Sequence, residues 1–461
     1  MKTLMLEDII TAIGMKPKKV HYGVSIVNVI HDSKHAKNHA LYFHIRKKDI
    51  LDGEKLKKYH HLYIVTDSPF ANMEKMKSEQ ILMVEDVMNT FYMFTSYYRH
   101  MFNIPVVAIT GTCGKTTTKE MLKHILQTNF SVQATIGNRN SSYFNLPYLM
   151  GITEKTDIAV IETGVAEPGD MIEACNYFFP TIGIMTMIDT DHTDEFPSFE
   201  DYVAEKEKLI HGLDDKGTMI INIDDPHISS MDFSNFKGKI VTYGKSRGAT
   251  FQIKESHFHK SGMEFTLNYQ KKEYIAFIPG IGEHNVYNAV AAIAGAVEAG
   301  IDITASKERL ASFKHLRSHF EIIQIANQIT IIDDTWKSNP PSLENGLRLL
   351  GGISVPPQRK IAVLGRMGPL GQYADEKYKN VGRLLVEIGV NKLITKGFIG
   401  KEIAKAALLA GMAKRDIHHY TDIEDIKSLL DKILQPNDIV YFKIWRDDSF
   451  GVVIKHLRNK N

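Results

Sequence analysis

Cysteine is almost missing from this chain: 461 residues contain two, Cys113 and Cys175. That excludes a disulfide framework and any metal cluster built on CxxC pairs. Long apolar runs are missing too. No uncharged stretch approaches the roughly 18–20 residues that cross a bilayer, and Met1–Pro17 carries acids and lysines where a secretory leader needs an apolar run. Nor is there an excess of either charge. The 56 basic residues face 54 acidic ones, for a net charge of +2, so no general attraction to nucleic acid or anionic membrane is expected. There is no internal repeat and no low-complexity tract. These absences point to a cytoplasmic protein that acts on small molecules, without nucleic acid or membrane as partner, and a monomer is expected.

What is present is ordinary globular material, 43% hydrophobic and 24% charged, in a chain too long for one core. The first hundred residues alternate short apolar runs (Tyr22–Ile30, Ala40–Ile45, Leu62–Thr66) with segments rich in lysine and histidine. They read as a small mixed α/β unit, followed by a helical pattern over Val84–His100. From Val106 the rhythm becomes strand then helix. Buried strands are expected at Val106–Thr110, Ile158–Ile161, Thr181–Ile188 and Thr218–Asn222, with helices at Gly114–Leu126 and Gly282–Gly300. Continuous apolar runs separated by helices indicate a parallel sheet covered on both faces. A second such rhythm predicts strands at Ile329–Asp333, Lys360–Leu364, Lys392–Thr395 and Asp438–Phe442. The fold class is therefore α/β in three domains: a small mixed domain at 1–103, a parallel-sheet domain with a phosphate loop at 104–315, and a Rossmann-like domain at 316–461.

The most specific motif is Thr110-Gly111-Thr112-Cys113-Gly114-Lys115-Thr116-Thr117, between a buried strand and a helix. Glycines let successive backbone N–H groups turn toward one anion, and the helix N-terminus adds partial positive charge. Lys115 is placed for the β- and γ-phosphates of ATP and the Thr116 hydroxyl for Mg²⁺. The general pattern has a glycine six residues before the lysine, where this chain has Ile109, and Gly111 lies only four before it. Cys113 reads as a small loop residue, since nothing nearby marks a reactive thiolate.

Five further segments carry chemistry. Glu162 ends the second strand, at the sheet edge where parallel sheets place their sites, and its carboxylate suits Mg²⁺. A helix cap or a solvated acid is the plain alternative. Ile188-Asp-Thr-Asp-His-Thr-Asp194 offers Asp189, Asp191 or Asp194 as oxygen ligands, which magnesium prefers to imidazole. Gly137–Ser142 could be a surface turn, and Lys206 lies on a helix so charged that a solvated face is the direct reading. Asn285 and Asn288 share one helical face, where two amides can read a base edge or Asn285 can cap the helix.

The shortened loop, T-G-[TS]-x-G-K-T-T, resembles that of the Mur ligases, and the likeness continues in order to about Asp334, then more loosely to the end. Within the family it is nearest to the members that add D-alanyl-D-alanine to a UDP-linked muramoyl tripeptide. The resemblance implies ATP and Mg²⁺ as cofactors, an ADP-forming amide ligation through an acyl phosphate, and a carboxylate donor and an amine acceptor as small-molecule substrates. It assigns the metal to Thr116, Glu162, His192 and Lys206, the last as a carbamate, and catalysis to Lys115, Lys206 and His192. Adenine falls to Asn285 and Asn288, and the rest of the nucleotide to Asp334 with Arg317. Arg317 stands two residues from the family's arginine position, which is His319 here. Asn138, Asn140 and Ser141 match a G-N-x-N-N loop on the acyl side, with a serine replacing the last asparagine.

The departures from the family gather in the segments that select substrates. Asp333-Asp-Thr-Trp-Lys-Ser-Asn339 stands for D-D-S-Y-N-A-N, so Trp336 replaces a tyrosine and Lys337 an asparagine. Arg366 and Pro369 replace the acids of L-G-D-M-L-E-L-G. Lys443-Ile-Trp-Arg446 stands for K-G-S-R, and His31-Asp-Ser-Lys34 for a D-S-R motif. Asn339, Arg366, Lys443 and Arg446 are thus the substrate candidates of the C-terminal domain. Charge reversal at Arg366 would favour an acceptor carrying an extra carboxylate. Rival readings are a paralogue that ligates another pair of substrates, and a nucleotide-binding protein that has lost ligation.

Overall fold

The computed structural model describes residues 1–46, 48–191, 194–213, 216–259, 262–354, 357–445 and 450–459. It is an α/β structure whose apolar runs form three main sheets. The first is all-parallel and runs Asn28–Ile30, Ala40–Phe43, Leu62–Thr66, Ile81–Met83. Its chain then enters the helix Val87–His100, capped by the Asp86 carboxylate. Arg99 near the end of that helix is buried, and its guanidinium donates to the carbonyls of Phe178, Phe102 and Ile104 at 2.7, 2.6 and 3.0 Å. It thereby ties the helix to the segment that leads into the second sheet, and burial pulls its pKa down to about 10.

The second sheet has nine strands. From one edge it reads Lys272–Pro279, Gly262–Tyr269, Phe251–His259, Lys239–Gly244, Thr218–Asn222, Ile182–Met185, Val106–Thr110, Ile158–Glu162, Val132–Ala134. All neighbours are parallel except the antiparallel meander at the first edge. Strand Val106–Thr110 sits where the connections diverge to either side, a switch point that opens a crevice at the carboxyl ends. Register brings Ile109 beside Glu162 and Thr110 beside Met185, so the three strands end level. The alanine-rich helix Glu283–Glu298 lies over this centre. At Gly295 a Cβ would stand 2.9 Å from Ile184 and 3.2 Å from Leu122, so the small residue lets helix, sheet and the loop's own helix approach closely.

The third sheet has six strands, in the order Glu321–Gln324, Thr330–Asp334, Ile439–Lys443, Lys360–Leu364, Lys392–Lys396, Ile417–Tyr420. All but the first are parallel. The turns after Asp334, Leu364 and Lys443 leave from one end, and the first and last of these face the phosphate loop across a shared cavity. Among the described residues, no helix is long and apolar enough to cross a membrane.

The expected strand Thr181–Ile188 is shorter, at Ile182–Met185. Thr186 and Met187 leave the sheet to hold the phosphate loop: Thr186 Oγ1 donates to the Cys113 carbonyl at 2.6 Å, and Met187 O accepts from Thr112 N at 2.6 Å.

Candidate active site

A cavity of about 890 Å³ lies between the second and third sheets, within the range of small-molecule sites. Residues 112–117 form one wall, while Thr110 and Gly111 shape the loop from beneath. Gly111 and Gly114 have φ of 141° and 86°, and a Cβ on them would meet Thr186 Oγ1 at 2.0 Å and Asn288 Oδ1 at 2.3 Å. Both positions therefore demand glycine twice over, for backbone angle and for space. Thr112 is pinned by the Asp189 carbonyl at 2.9 Å and the Tyr202 hydroxyl at 3.1 Å. Lys115 bends back onto the carbonyls of Gly111 and Thr112, at 2.7 and 3.0 Å. Burial, then Lys337, lowers its pKa, and the nearby Glu162 and Asp191 carboxylates only partly offset them.

Beside the loop, Glu162 Oε1 accepts from Thr116 Oγ1 at 3.1 Å and from Asn140 Nδ2 at 2.7 Å. Its Oε2 is buried and accepts no hydrogen bond among the described residues, with the Lys119 ammonium 3.9 Å away. A buried carboxylate oxygen left open next to a hydroxyl fits Mg²⁺, which takes one or two protein oxygens and completes its shell with phosphate and water. The described residues hold no group of three or more His, Cys, Asp or Glu able to bind a metal by themselves. Lys119, which the sequence did not single out, is fully buried and donates to the carbonyls of Thr135 and Gly137 at 2.8 and 2.5 Å. It shapes the turn that brings Asn138 and Asn140 to the cavity. Ser141 is exposed and does not line it.

Lys206 is 1% exposed, so the helix face that looked solvated points inward. Its pKa is pushed well below the ordinary lysine value, by burial first and then by Lys115, and its Nζ lies 4.3 Å from the Tyr202 ring centroid. Lys208, two residues on, pairs with Glu205 at 2.5 Å. His192 and Arg446 lie outside the described residues. Burial raises the Cys113 thiol pKa, in keeping with a loop residue and not a nucleophile.

The opposite wall comes from the third sheet. The Asp334 carboxylate accepts from Lys443 Nζ at 2.7 Å and Tyr441 OH at 2.8 Å, and Lys443 is buried. Burial nevertheless raises the Asp334 pKa. Asn339 caps the helix Pro340–Ile353 with its side chain, and its Oδ1 also accepts from Cys113 Sγ at 3.3 Å. Lys337 crosses the cleft to Asp191 Oδ2 at 2.6 Å. Burial pulls its pKa down, Asp191 pulls it up, and the net shift is upward.

At the other end, His284, Asn285, Tyr287 and Asn288 meet Asp224, His319 and Trp336. Asn285 Nδ2 donates to the Ile281 carbonyl at 2.8 Å. Burial holds His284 and His319 down to about 4, His315 adding to the effect at His284, so both are neutral near pH 7. Neutral imidazoles, amides and an indole make a wall suited to a base. The His319 and Trp336 rings lie 5.1 Å apart at 32°. A neutral His319 does not replace the arginine charge expected there, and Arg317 is exposed and off the cavity. Arg366 is exposed as well; its backbone carbonyl accepts from Trp445 N, and it is Trp445 that faces the cavity.

The comparisons with known proteins agree with this geometry. The family model of the Mur ligase middle domain matches residues 109–296, and that of the Mur ligase glutamate ligase domain matches residues 320–443. The UDP-N-acetylmuramoyl-tripeptide--D-alanyl-D-alanine ligase of Bacillus subtilis is 27% identical over 385 residues, 83% of this chain and 82% of its own. MurF from Acinetobacter baumannii superposes with a TM-score of 0.84 at 21% identity, covering 99% of each chain. MurF ligase from Thermotoga maritima in complex with ADP gives 0.78 at 21% identity, over 94% of this chain and 97% of its own.

Proposed function

The chain belongs to the Mur ligase family of ATP-dependent, ADP-forming amide ligases, and on that premise we propose that it adds a dipeptide of the D-alanyl-D-alanine kind to the free carboxylate of a UDP-linked muramoyl peptide. The observation that carries the reading is the convergence of Lys115, Thr116 and Glu162 on one side of a cavity with Asp334 and Lys443 on the other. We read the three units 1–103, 104–315 and 316–461 as the bodies that close on the substrates.

In the first step an oxygen of the donor carboxylate attacks the γ-phosphorus, and the bond from that phosphorus to the ADP oxygen breaks. In the second, the acceptor nitrogen attacks the acyl carbon, phosphate leaves with the C–O bond electrons, and the nitrogen loses a proton. Lys115 holds the β- and γ-oxygens and keeps its charge throughout. Mg²⁺, held by Thr116 and Glu162, neutralises phosphate charge when bound. Lys206 suits the carbamate reading, because CO₂ adds to an uncharged amine and burial favours that form here. Asn138 and Asn140 line the acyl side, and the wall around Asn285 and Asn288 receives adenine.

A second reading, ligation of a different donor and acceptor, is favoured by two replacements inside the cavity. Lys337 and Trp445 stand where the family pattern has asparagine and serine. Phosphate release from ATP separates the two. Release that requires both a UDP-muramoyl tripeptide and D-alanyl-D-alanine supports the first, and release with only another pair supports the second. ATP binding without release for any pair overturns both.

A further inference from the structure

Three amines surround the phosphate loop where the two walls meet. Lys115 belongs to the loop and Lys206 to the helix Phe199–Gly212. The third, Lys337, arrives from the other sheet, on the turn between the strand Thr330–Asp334 and the helix Pro340–Ile353. That turn is tightly fixed. Ser338 O accepts from Gly368 N at 2.8 Å, Trp336 N donates to Ser318 O at 3.1 Å, and Asn339 holds both the helix N-terminus and Cys113 Sγ. The Lys337 side chain lines the cavity and remains 31% exposed. Its ammonium shares Asp191 Oδ2 with Asn339 Nδ2, at 2.6 and 3.1 Å, and lies 5.9 Å from the Trp445 ring centroid. Trp445 and the phosphate loop line the same cavity as Lys337.

We infer that Lys337 is a further catalytic residue: a cation carried by the C-terminal sheet to the γ-phosphoryl group in transfer, with Asp191 as its resting partner before nucleotide binds. This rests on the ligase reading of the same cavity. When a carboxylate oxygen attacks and the bond to ADP breaks, negative charge spreads over the oxygens of the phosphoryl group. A fixed ammonium brought from the opposite sheet stabilises that charge without reorganising. The lysine gives up no proton; it exchanges one anionic neighbour for another. Because it comes from the opposite sheet, its arrival would also make transfer depend on closure of the cleft.

The alternative is a tether that only holds the sheets together, and nucleotide affinity distinguishes them. A tether serves ADP and a triphosphate alike, whereas a γ-phosphate contact serves the triphosphate alone. At fixed magnesium, affinities for ADP and the non-hydrolysable AMP-PNP are measured on the full-length wild type, Lys337→Met and Lys337→Arg. The expected result is an AMP-PNP affinity reduced about tenfold or more in Lys337→Met, with ADP affinity within twofold of wild type and most of the loss restored by arginine. Turnover in Lys337→Met should fall by about 10²–10³. Equal losses for both nucleotides, or no loss, overturn the inference. If Lys337→Met does not bind ADP, Lys337→Gln replaces it, and failure of both marks a tether and overturns it equally. The affinity ratio needs no ligation, so a wild type that makes no amide sinks the ligase reading while the ratio still judges Lys337.

Discussion

Replacing Lys443 by methionine removes a buried cation while keeping most of its volume. Asp334 is then left with the Tyr441 hydroxyl as its donor on Oδ2. Breaking a buried ion pair by deleting one partner costs about 3–5 kcal/mol. An independent ceiling comes from protonation, since the carboxyl can always escape by taking up a proton. With an unfolded pKa of about 3.9 and about 1.36 kcal/mol per pH unit, that escape costs about 4 kcal/mol at pH 7 and about 1.5 kcal/mol at pH 5. The sign follows from the direction of the shift. Asp334 already has a raised pKa, so its contribution to stability is present below the ordinary carboxylate value and lost as pH rises through the folded value. Loss of Lys443 moves the folded value higher and deepens that loss toward neutrality. Lys443→Met should therefore destabilise the C-terminal sheet by about 3–4 kcal/mol at pH 7 and by about 1.5 kcal/mol or less at pH 5. Both tryptophans, Trp336 and Trp445, belong to this region, so their fluorescence during urea unfolding reports it locally. The double variant Asp334→Asn, Lys443→Met should recover most of the loss and show little pH dependence. An unchanged midpoint in Lys443→Met at pH 7, or an equal loss at both pH values, would refute the reasoning.

Two further outcomes are expected. Lys115→Ala should lower turnover by about 10³ or more, since the loop ammonium faces charge in transfer; near-normal phosphate release in that variant would sink the mechanism. Glu162→Gln keeps the shape and an acceptor for Thr116 and Asn140 but removes the negative charge at the open oxygen. Its magnesium requirement, read by titrating MgCl₂ in the phosphate-release assay, should move to concentrations about tenfold higher or more; an unchanged titration would remove Glu162 from the metal site.

Much of the centre was legible because it is local. Buried parallel strands and the loop between strand and helix write themselves as contiguous residues, and strands Val106–Thr110, Thr218–Asn222 and Lys360–Leu364 fall where periodicity put them. The edge meander Phe251–Pro279 did not show, because its strands place Lys254, Glu255 and Phe258 in solvent and take their stability from pairing with one another. The inward turn of Lys206 was hidden for a related reason: helix propensity says nothing about which charged residue faces a site. Lys337 was visible only as a departure from pattern, since the residue it meets lies 146 positions away. Arg317 and Arg366 looked suited to anions by type, yet both are exposed and off the cavity, which His319 and Trp445 line.

The central claim is that a substrate carboxylate is phosphorylated on its way to an amide, and the fate of oxygen tests it most directly. The donor is supplied with its carboxylate labelled with ¹⁸O, and the inorganic phosphate released during turnover is examined by mass spectrometry. The account predicts that one ¹⁸O passes into phosphate for each amide formed, because the oxygen that attacked the γ-phosphorus departs with it. Phosphate free of label, formed in step with amide, would contradict it.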